Sequence, residues 1–192
     1  LAAVGKENAT VLDLFCGNGE MYKAVWNTAA GYVGCDAEDH RGDFPLEVPI
    51  FVCDNLRLAR AIDLSRFNIF DVDAFGSPWD VVWLVANRMK VSSPVGVVIT
   101  DGDHLKFRTG SGIPSGLAEI LGIGPGVRGA WRQRERLVAL GLKAMASAMG
   151  GNTSSVWVTT SGQQRHMVYA AAVITPGIHD AGAHQGERRP CP

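Results

Sequence analysis

The sequence predicts an α/β fold, a doubly wound parallel sheet with helices on both faces, and three observations predict it. Short apolar runs of strand length alternate with helical patterns through the first half of the chain, which is how consecutive β-α-β crossovers read in sequence. Carboxylates recur where these runs end, at Asp13, Asp36, Asp54, Asp73 and Asp101, the edge at which open α/β sheets hold ligands. The chain has 192 residues, 46% hydrophobic and 19% charged, enough apolar surface for one sizeable core.

The elements follow in order. Residues 10–15 are apolar apart from Asp13 and read as a buried strand. Residues 20–28 have helical character, and residues 32–35 form a second strand that ends at Asp36. The polar stretch 37–49, with Gly42, Pro45 and Pro49, reads as loop. A third strand over 50–53 ends at Asp54, and a helix over 55–64 turns Leu56, Ala59 and Leu64 inward. The fourth strand covers 67–72. Pro78 then opens a helix that runs to Met89, at a position where its missing N–H costs nothing. Residues 95–100 form the fifth strand, ending at Asp101.

Residues 102–129 are rich in Gly, Pro and Ser and carry Lys106, Arg108 and Arg128. They read as a long loop insertion, with a short helical pattern over 114–121. Loops of this length after a strand's carboxyl end are commonly lids or recognition loops. The longest helix covers 130–149, with Leu137, Leu140, Ala144 and Ala148 facing inward, and 150–152 stop it. Two last strands, 156–160 and 167–174, flank a short turn around Gly162 and pair as an antiparallel hairpin. One domain therefore spans 1–176. Residues 177–192, mostly Gly, His, Arg and Pro with little to bury, are expected to be a disordered tail.

Bulk properties exclude some function classes. The formal net charge of −1 gives no global electrostatic case for nucleic acid, although a local basic patch remains open. No apolar run reaches membrane-spanning length, and no signal peptide is visible. The four cysteines, Cys16, Cys35, Cys53 and Cys191, form no C-x-x-C pair, so no zinc site or redox motif is signalled. Three of them fall near the carboxyl ends of strands and read as small buried apolar residues. A reduced, cytoplasmic setting is the expectation.

Two turns carry the chemistry. The first is Asp13-Leu14-Phe15-Cys16-Gly17-Asn18-Gly19, where glycines between strand and helix let a ligand approach the backbone. A dinucleotide fingerprint would need a third glycine where Tyr22 stands, and a phosphate-binding loop would need a G-K-[ST] that is missing. The second turn is Asp71-Val72-Asp73-Ala74-Phe75-Gly76-Ser77-Pro78, a strand end that presents carboxylates and an aromatic ring.

The first pattern, Asp13-x-Phe15-x-Gly17-x-Gly19, resembles the first motif of class I S-adenosylmethionine-dependent methyltransferases. The second resembles the reactive motif of the tRNA (guanine-N2)-dimethyltransferase family through Asp71, Asp73, Phe75, Gly76, Ser77 and Pro78. Ala74 stands where that family has proline, which predicts a looser turn. The resemblance covers roughly residues 10 to 150, and the chain leaves no room for that family's additional tRNA domain.

The resemblance implies a Rossmann-like, seven-stranded, mostly parallel sheet with an antiparallel last strand. It implies S-adenosyl-L-methionine as cofactor, held by Asp13, Phe15, Cys16, Gly17, Asn18 and Gly19. Asp36, or else Glu38 or Asp39, would meet the ribose diol. Asp54 would accept from the adenine amino group unless it only caps the following helix, Asn55 would flank the ring, and Asp71 would lie close by.

Methyl transfer to an exocyclic or ring nitrogen of a nucleic-acid base is the expected reaction, with RNA ahead of DNA. Asp73 would accept from the amine with the catalytic Asp71 carboxylate close by, and Phe75 would stack on the base. Gly76, Ser77, Lys106, Arg108, Trp131 and Arg132 would touch a large substrate, within a basic cluster that also holds Arg128, Arg134 and Arg136. Asp101 and Asp103 would line the same cleft, and His104, the histidine nearest to it, reads as a solvent-facing loop residue. The rival readings are a protein or small-molecule methyltransferase, and a catalytically silent module of the same fold. No metal and no membrane partner is expected.

Overall fold

Val11 and Leu12 are fully buried on opposite sides of one strand, so this sheet is covered on both faces. A computed structural model describes residues 4–109, 112–161 and 166–177. Its strands are β1 (Thr10–Asp13), β2 (Gly31–Asp36), β3 (Ile50–Val52), β4 (Ile69–Asp73), β5 (Val95–Asp101), β6 (Gly151–Thr160) and β7 (Val168–Pro176). They form one sheet in the order β3-β2-β1-β4-β5-β7-β6. Strands β1 to β5 are parallel, and β7 is antiparallel to both β5 and β6. The expected seven-stranded sheet with its antiparallel last strand is therefore present.

The helices cover the two faces unevenly. Helices α2 (Asn55–Ala61), α3 (Trp79–Arg88), α5 (Ser115–Leu121) and α6 (Arg134–Ala148) bury their apolar residues in the larger cluster with Leu12, Phe70, Val72, Val97 and Ile99. The other face has α1 (Glu20–Ala24), a 3-10 turn at Trp26–Thr28 and Phe44 from the loop after β2. On that face Tyr32 and Phe44 pack against the Tyr22 ring. Near the β6 edge, Trp157 remains 58% exposed.

Residues 102–129 are not a plain loop. They contain α4 (His104–Arg108) and α5. Ile113, Leu117, Ala118 and Ile120 are buried, and Gly116 packs on the Trp79 backbone, where a Cβ would overlap it. Glycine and proline dominate the composition of this stretch, but four inward apolar residues suffice to dock it. Asp80 on α3 accepts the Gly116 N–H at 3.1 Å, which satisfies a donor at the start of α5.

The inward face of α6 is rotated from the expected one. Its buried residues are Arg134, Leu137, Val138, Gly141, Leu142, Met145 and Ala146, while Leu140 is 40% exposed. The sequence reading missed that a buried face can include a charge and a glycine. Gly141 faces the Trp79 ring so closely that a Cβ would stand 2.6 Å from it. Strand β6 begins at Gly151, because its polar first half pairs with β7 from Gly151↔Pro176 onward. The expected tail lies outside the described residues beyond Gly177.

Candidate active site

Strands β1 and β4 are neighbours in register, with Asp13 opposite Asp71. Both carboxylates are buried, at 2% and 1% exposure. Asp13 accepts from the Tyr32 hydroxyl at 2.8 Å and from the Phe15 N–H at 3.1 Å. Asp71 accepts from the Trp26 indole N–H at 2.6 Å through Oδ2, and its Oδ1 has no hydrogen-bond partner. Burial pushes the Asp13 carboxyl up to about 6 despite the Tyr32 and Phe15 hydrogen bonds, and Asp73 and Asp36 add to the rise. Burial, and then the Asp13 charge, push Asp71 well above the usual carboxylate range.

Beyond β1 the chain reverses at Gly17 (φ +46°) and Gly19 (φ +77°), the latter opening α1. Space is open where a Cβ on Gly17 would stand, whereas one on Gly19 would meet the Phe44 ring at 2.7 Å. Phe44 thus closes one side of the turn, and Gly17 leaves the other free. Asp36 at the end of β2 accepts the Gly17 N–H at 2.9 Å and the Glu38 N–H at 3.0 Å. Two of its roughly four lone-pair sites are then used, and the half-buried carboxylate keeps acceptor capacity beside the turn. Asp39 instead pairs with Arg41 at 2.7 Å. Asp54 caps α2 through the Arg57 N–H at 2.8 Å and is otherwise exposed, so capping and binding both remain available to it.

The other residues of this edge divide by exposure. Asn18 and Asn55 lie at its surface, exposed and half-buried, and the half-buried Phe15 packs on the larger core. The Cys16 side chain does not face the crevice. It is buried against Gly34, and burial, with Asp13 and Asp36 nearby, pushes its thiol up to about 12. Only its backbone belongs to the turn. Cys35 and Cys53 lie with sulfurs 3.8 Å apart, and Cys191 lies outside the described residues.

The turn after β4 separates its two aspartates. Asp73 is exposed at the sheet edge, while Asp71 is buried two residues below it on the same face. Asp71 therefore lies close beneath the turn, and Asp73 is the exposed acid of the two. Ala74 does not loosen the turn. Its N–H, which proline would lack, donates to the Val72 carbonyl at 3.0 Å and closes a three-residue turn centred on Asp73. Phe75 is 98% exposed, so it does not serve as core packing. Ser77 accepts the Trp79 N–H at the start of α3, and Gly76 has open space around it.

Sequence reasoning missed Gly102. Its N–H donates to the Gly76 carbonyl at 2.8 Å, and a Cβ there would overlap the Phe75 carbonyl. The end of β5 thus braces the turn after β4, and a glycine directly after Asp101 was the available signal. Trp26 was also missed as a partner of Asp71, because a tryptophan in a helical pattern reads simply as core.

The basic cluster splits. Arg134 is 4% exposed and turns inward to Asp101, which is fully buried, at 3.0 Å. It also donates to the His166 carbonyl at 2.9 Å and lies over the Phe107 and Trp131 rings. Asp101 takes the Trp79 indole N–H at 2.9 Å as well, so it serves this network and not the cleft. Asp103 and Lys106 face each other at 3.9 Å, and His104 stacks on His166 with ring centres 4.4 Å apart. Arg108, Arg128, Arg132 and Arg136 stay exposed.

No protein-family model matches the sequence, and no curated protein matches it. Among solved structures, Trm1 from Pyrococcus horikoshii in complex with S-adenosyl-L-methionine aligns with a TM-score of 0.54 at 15% identity over 88% of this chain. TYW2 from M. jannaschii in complex with AdoMet aligns with a TM-score of 0.55 at 12% identity over 91% of this chain. The chain has the class I methyltransferase fold. It spans 51% of the Trm1 chain and 72% of the TYW2 chain. In the class I methyltransferase fold as this chain builds it, the strand order reverses direction between β1 and β4. The two motif-bearing turns therefore flank the crevice where such sheets bind ligands.

Proposed function

We propose that this chain is an S-adenosylmethionine-dependent N-methyltransferase acting on a nitrogen of a nucleic-acid base in RNA, the guanine N2 of tRNA being the nearest chemical case. One observation carries this reading. Asp73 stands exposed at the carboxyl end of β4 beside the fully exposed Phe75, one strand from the glycine turn that follows β1.

The residues present fit the cofactor. Gly17 leaves open space beside its backbone, Asp36 offers acceptor capacity next to it, and the buried Asp71 Oδ1 lacks a partner below. Asp13, Gly17, Asn18 and Gly19 would hold the methionine and ribose parts. Asp36 would take the ribose hydroxyls, and Asp54 and Asn55 would lie at the adenine. When bound, S-adenosylmethionine supplies an electrophilic methyl group on a sulfonium.

Phe75 offers its face to a flat base that has left its stack. Asp73 accepts a hydrogen bond from the exocyclic N–H, which turns the nitrogen's electron density toward the crevice, and takes the proton that nitrogen sheds. The turn closed by Ala74 and braced by Gly102 fixes the Asp73 position in advance. Arg108 and Arg132, both exposed, suit a phosphate backbone.

The test is twofold. Calorimetric titration with S-adenosylmethionine should show binding, and labelled methyl should pass to bulk tRNA in preference to DNA or protein. Asp73→Ala should lower transfer by more than a hundredfold while leaving cofactor affinity within about threefold. Retained turnover in that variant contradicts the assignment, and absence of cofactor binding removes the enzyme reading altogether.

A further inference from the structure

Two clefts meet at Trp131, away from the glycine turn. One, of about 180 Å³, is lined by Trp131, Arg132, Arg134, Glu135, Thr160 and Val168. The other, of about 390 Å³, is lined by Phe107, Arg108, Arg128, Ala130, Trp131 and Arg132 among others. The second falls in the size range of small-ligand sites, and the first is a narrower slot beside it. Trp131 and Arg132 belong to both, so the clefts are compartments of one trough.

Their linings differ in kind. The first has an aromatic wall, the Thr160 hydroxyl and the Glu135 carboxylate. Its floor is Arg134, which pairs with the buried Asp101 beneath and also holds the approach to β7 through the His166 carbonyl. The second carries three exposed guanidinium groups, on Arg108, Arg128 and Arg132. A flat polar ring suits the first compartment and a phosphate suits the second.

The trough has a defined place relative to the reactive turn. Val168 is the register partner of both Asp101 and Thr160, so the first compartment opens beyond the ends of β5, β7 and β6. Asp73 ends β4, next to β5. At about 4.8 Å per strand, the two sites are about 10–14 Å apart along the sheet edge. That separation is too great for two parts of one base and suits two successive nucleotides of a splayed single strand.

We infer that the trough around Trp131 takes the nucleotide adjacent to the reacting one in a single-stranded RNA segment, its base against Trp131 in the first compartment and its phosphate among Arg108, Arg128 and Arg132 in the second. This rests on the RNA-methyltransferase reading and deepens it. The flanking base contributes to recognition while Asp73 and Phe75 handle the target.

The test uses oligoribonucleotides with a central guanosine, adenosine or cytidine in a run of uridines, and the same strands with an abasic residue on one side or the other. Methyl transfer from labelled S-adenosylmethionine gives KM for each. On the wild-type chain, one of the two abasic positions should raise KM about tenfold. On Trp131→Ala, whose KM is already raised, that abasic residue should add less than a factor of two. Trp131→Phe should keep the sensitivity.

Should Trp131→Ala not fold, Trp131→Leu keeps apolar bulk without a stacking face and is read the same way. Independently, 5-iodouridine at the sensitive position should crosslink to the peptide holding Trp131 on irradiation. Multiplying effects of the abasic residue and the Trp131 change, or crosslinks elsewhere only, overturn the inference while leaving RNA methylation standing. Cofactor binding without transfer to any RNA overturns the RNA reading and the trough assignment together.

Discussion

Asp13 and Asp71 show how a single residue pair links this site to pH. Burial raises the Asp13 carboxyl from 3.8 to about 6. Between those values the folded chain keeps a proton that the unfolded chain has lost, so stability falls as pH rises through that window. The slope is at most about −1.4 kcal/mol per pH unit for one retained proton. Asp71 acts with the same sign and extends the window upward. Urea unfolding between pH 4 and 7 should show this fall for the wild-type chain and a flatter profile for Asp13→Asn; identical slopes would contradict it. Asp13, Asp71 and Asp73 were all legible in the sequence as carboxylates at strand ends. Their division into two buried and one exposed was not, because it depends on Trp26 and Tyr32 reaching across from other elements.

At the scale of elements, the decisive contact lies between the ends of β4 and β5. Gly102 sits against the Phe75 backbone with no space for a side chain. Gly102→Ala should push the turn away and lower methyl transfer at least tenfold, with a loss of roughly 1–3 kcal/mol in stability and unchanged cofactor affinity. Undiminished transfer in that variant would show the brace to be dispensable. The parallel strands were legible because their apolar runs are short and end in acids. Helix α5 and the true face of α6 were less so, since Gly116 and Gly141 pack against Trp79 through the absence of a side chain, which hydrophobic periodicity does not register. The first half of β6 carries Asn152, Thr153, Ser154 and Ser155, and only pairing with β7 makes it a strand.

At the scale of the molecule, the Arg134–Asp101 pair joins β5, α3, α6 and the approach to β7. Arg134→Met leaves Asp101 buried and uncompensated and should cost about 3–5 kcal/mol, whereas Arg134→Met combined with Asp101→Asn should recover part of that loss. Denaturant midpoints of the three chains check this; equal midpoints for the single and double variants would show the pair is not coupled. No helix among the described residues is long and apolar enough to cross a membrane. The seven-stranded, mostly parallel sheet with its antiparallel last strand followed from sequence pattern and resemblance together. The sequence places Arg134 in a basic cluster beside a large substrate, because a run of alternating arginines gives no sign that one of them turns inward.

That inward arginine has a consequence for how such a chain can be repurposed. The anchoring of the trough is the buried Arg134–Asp101 pair at its floor, while Arg108, Arg128 and Arg132 line it from outside. The lining can therefore vary freely without unsettling the support beneath it. On the RNA reading proposed above, libraries randomised at positions 128 and 132 should yield folded chains with altered preference for neighbouring sequence, leaving the chemistry of the reacting atom as it was.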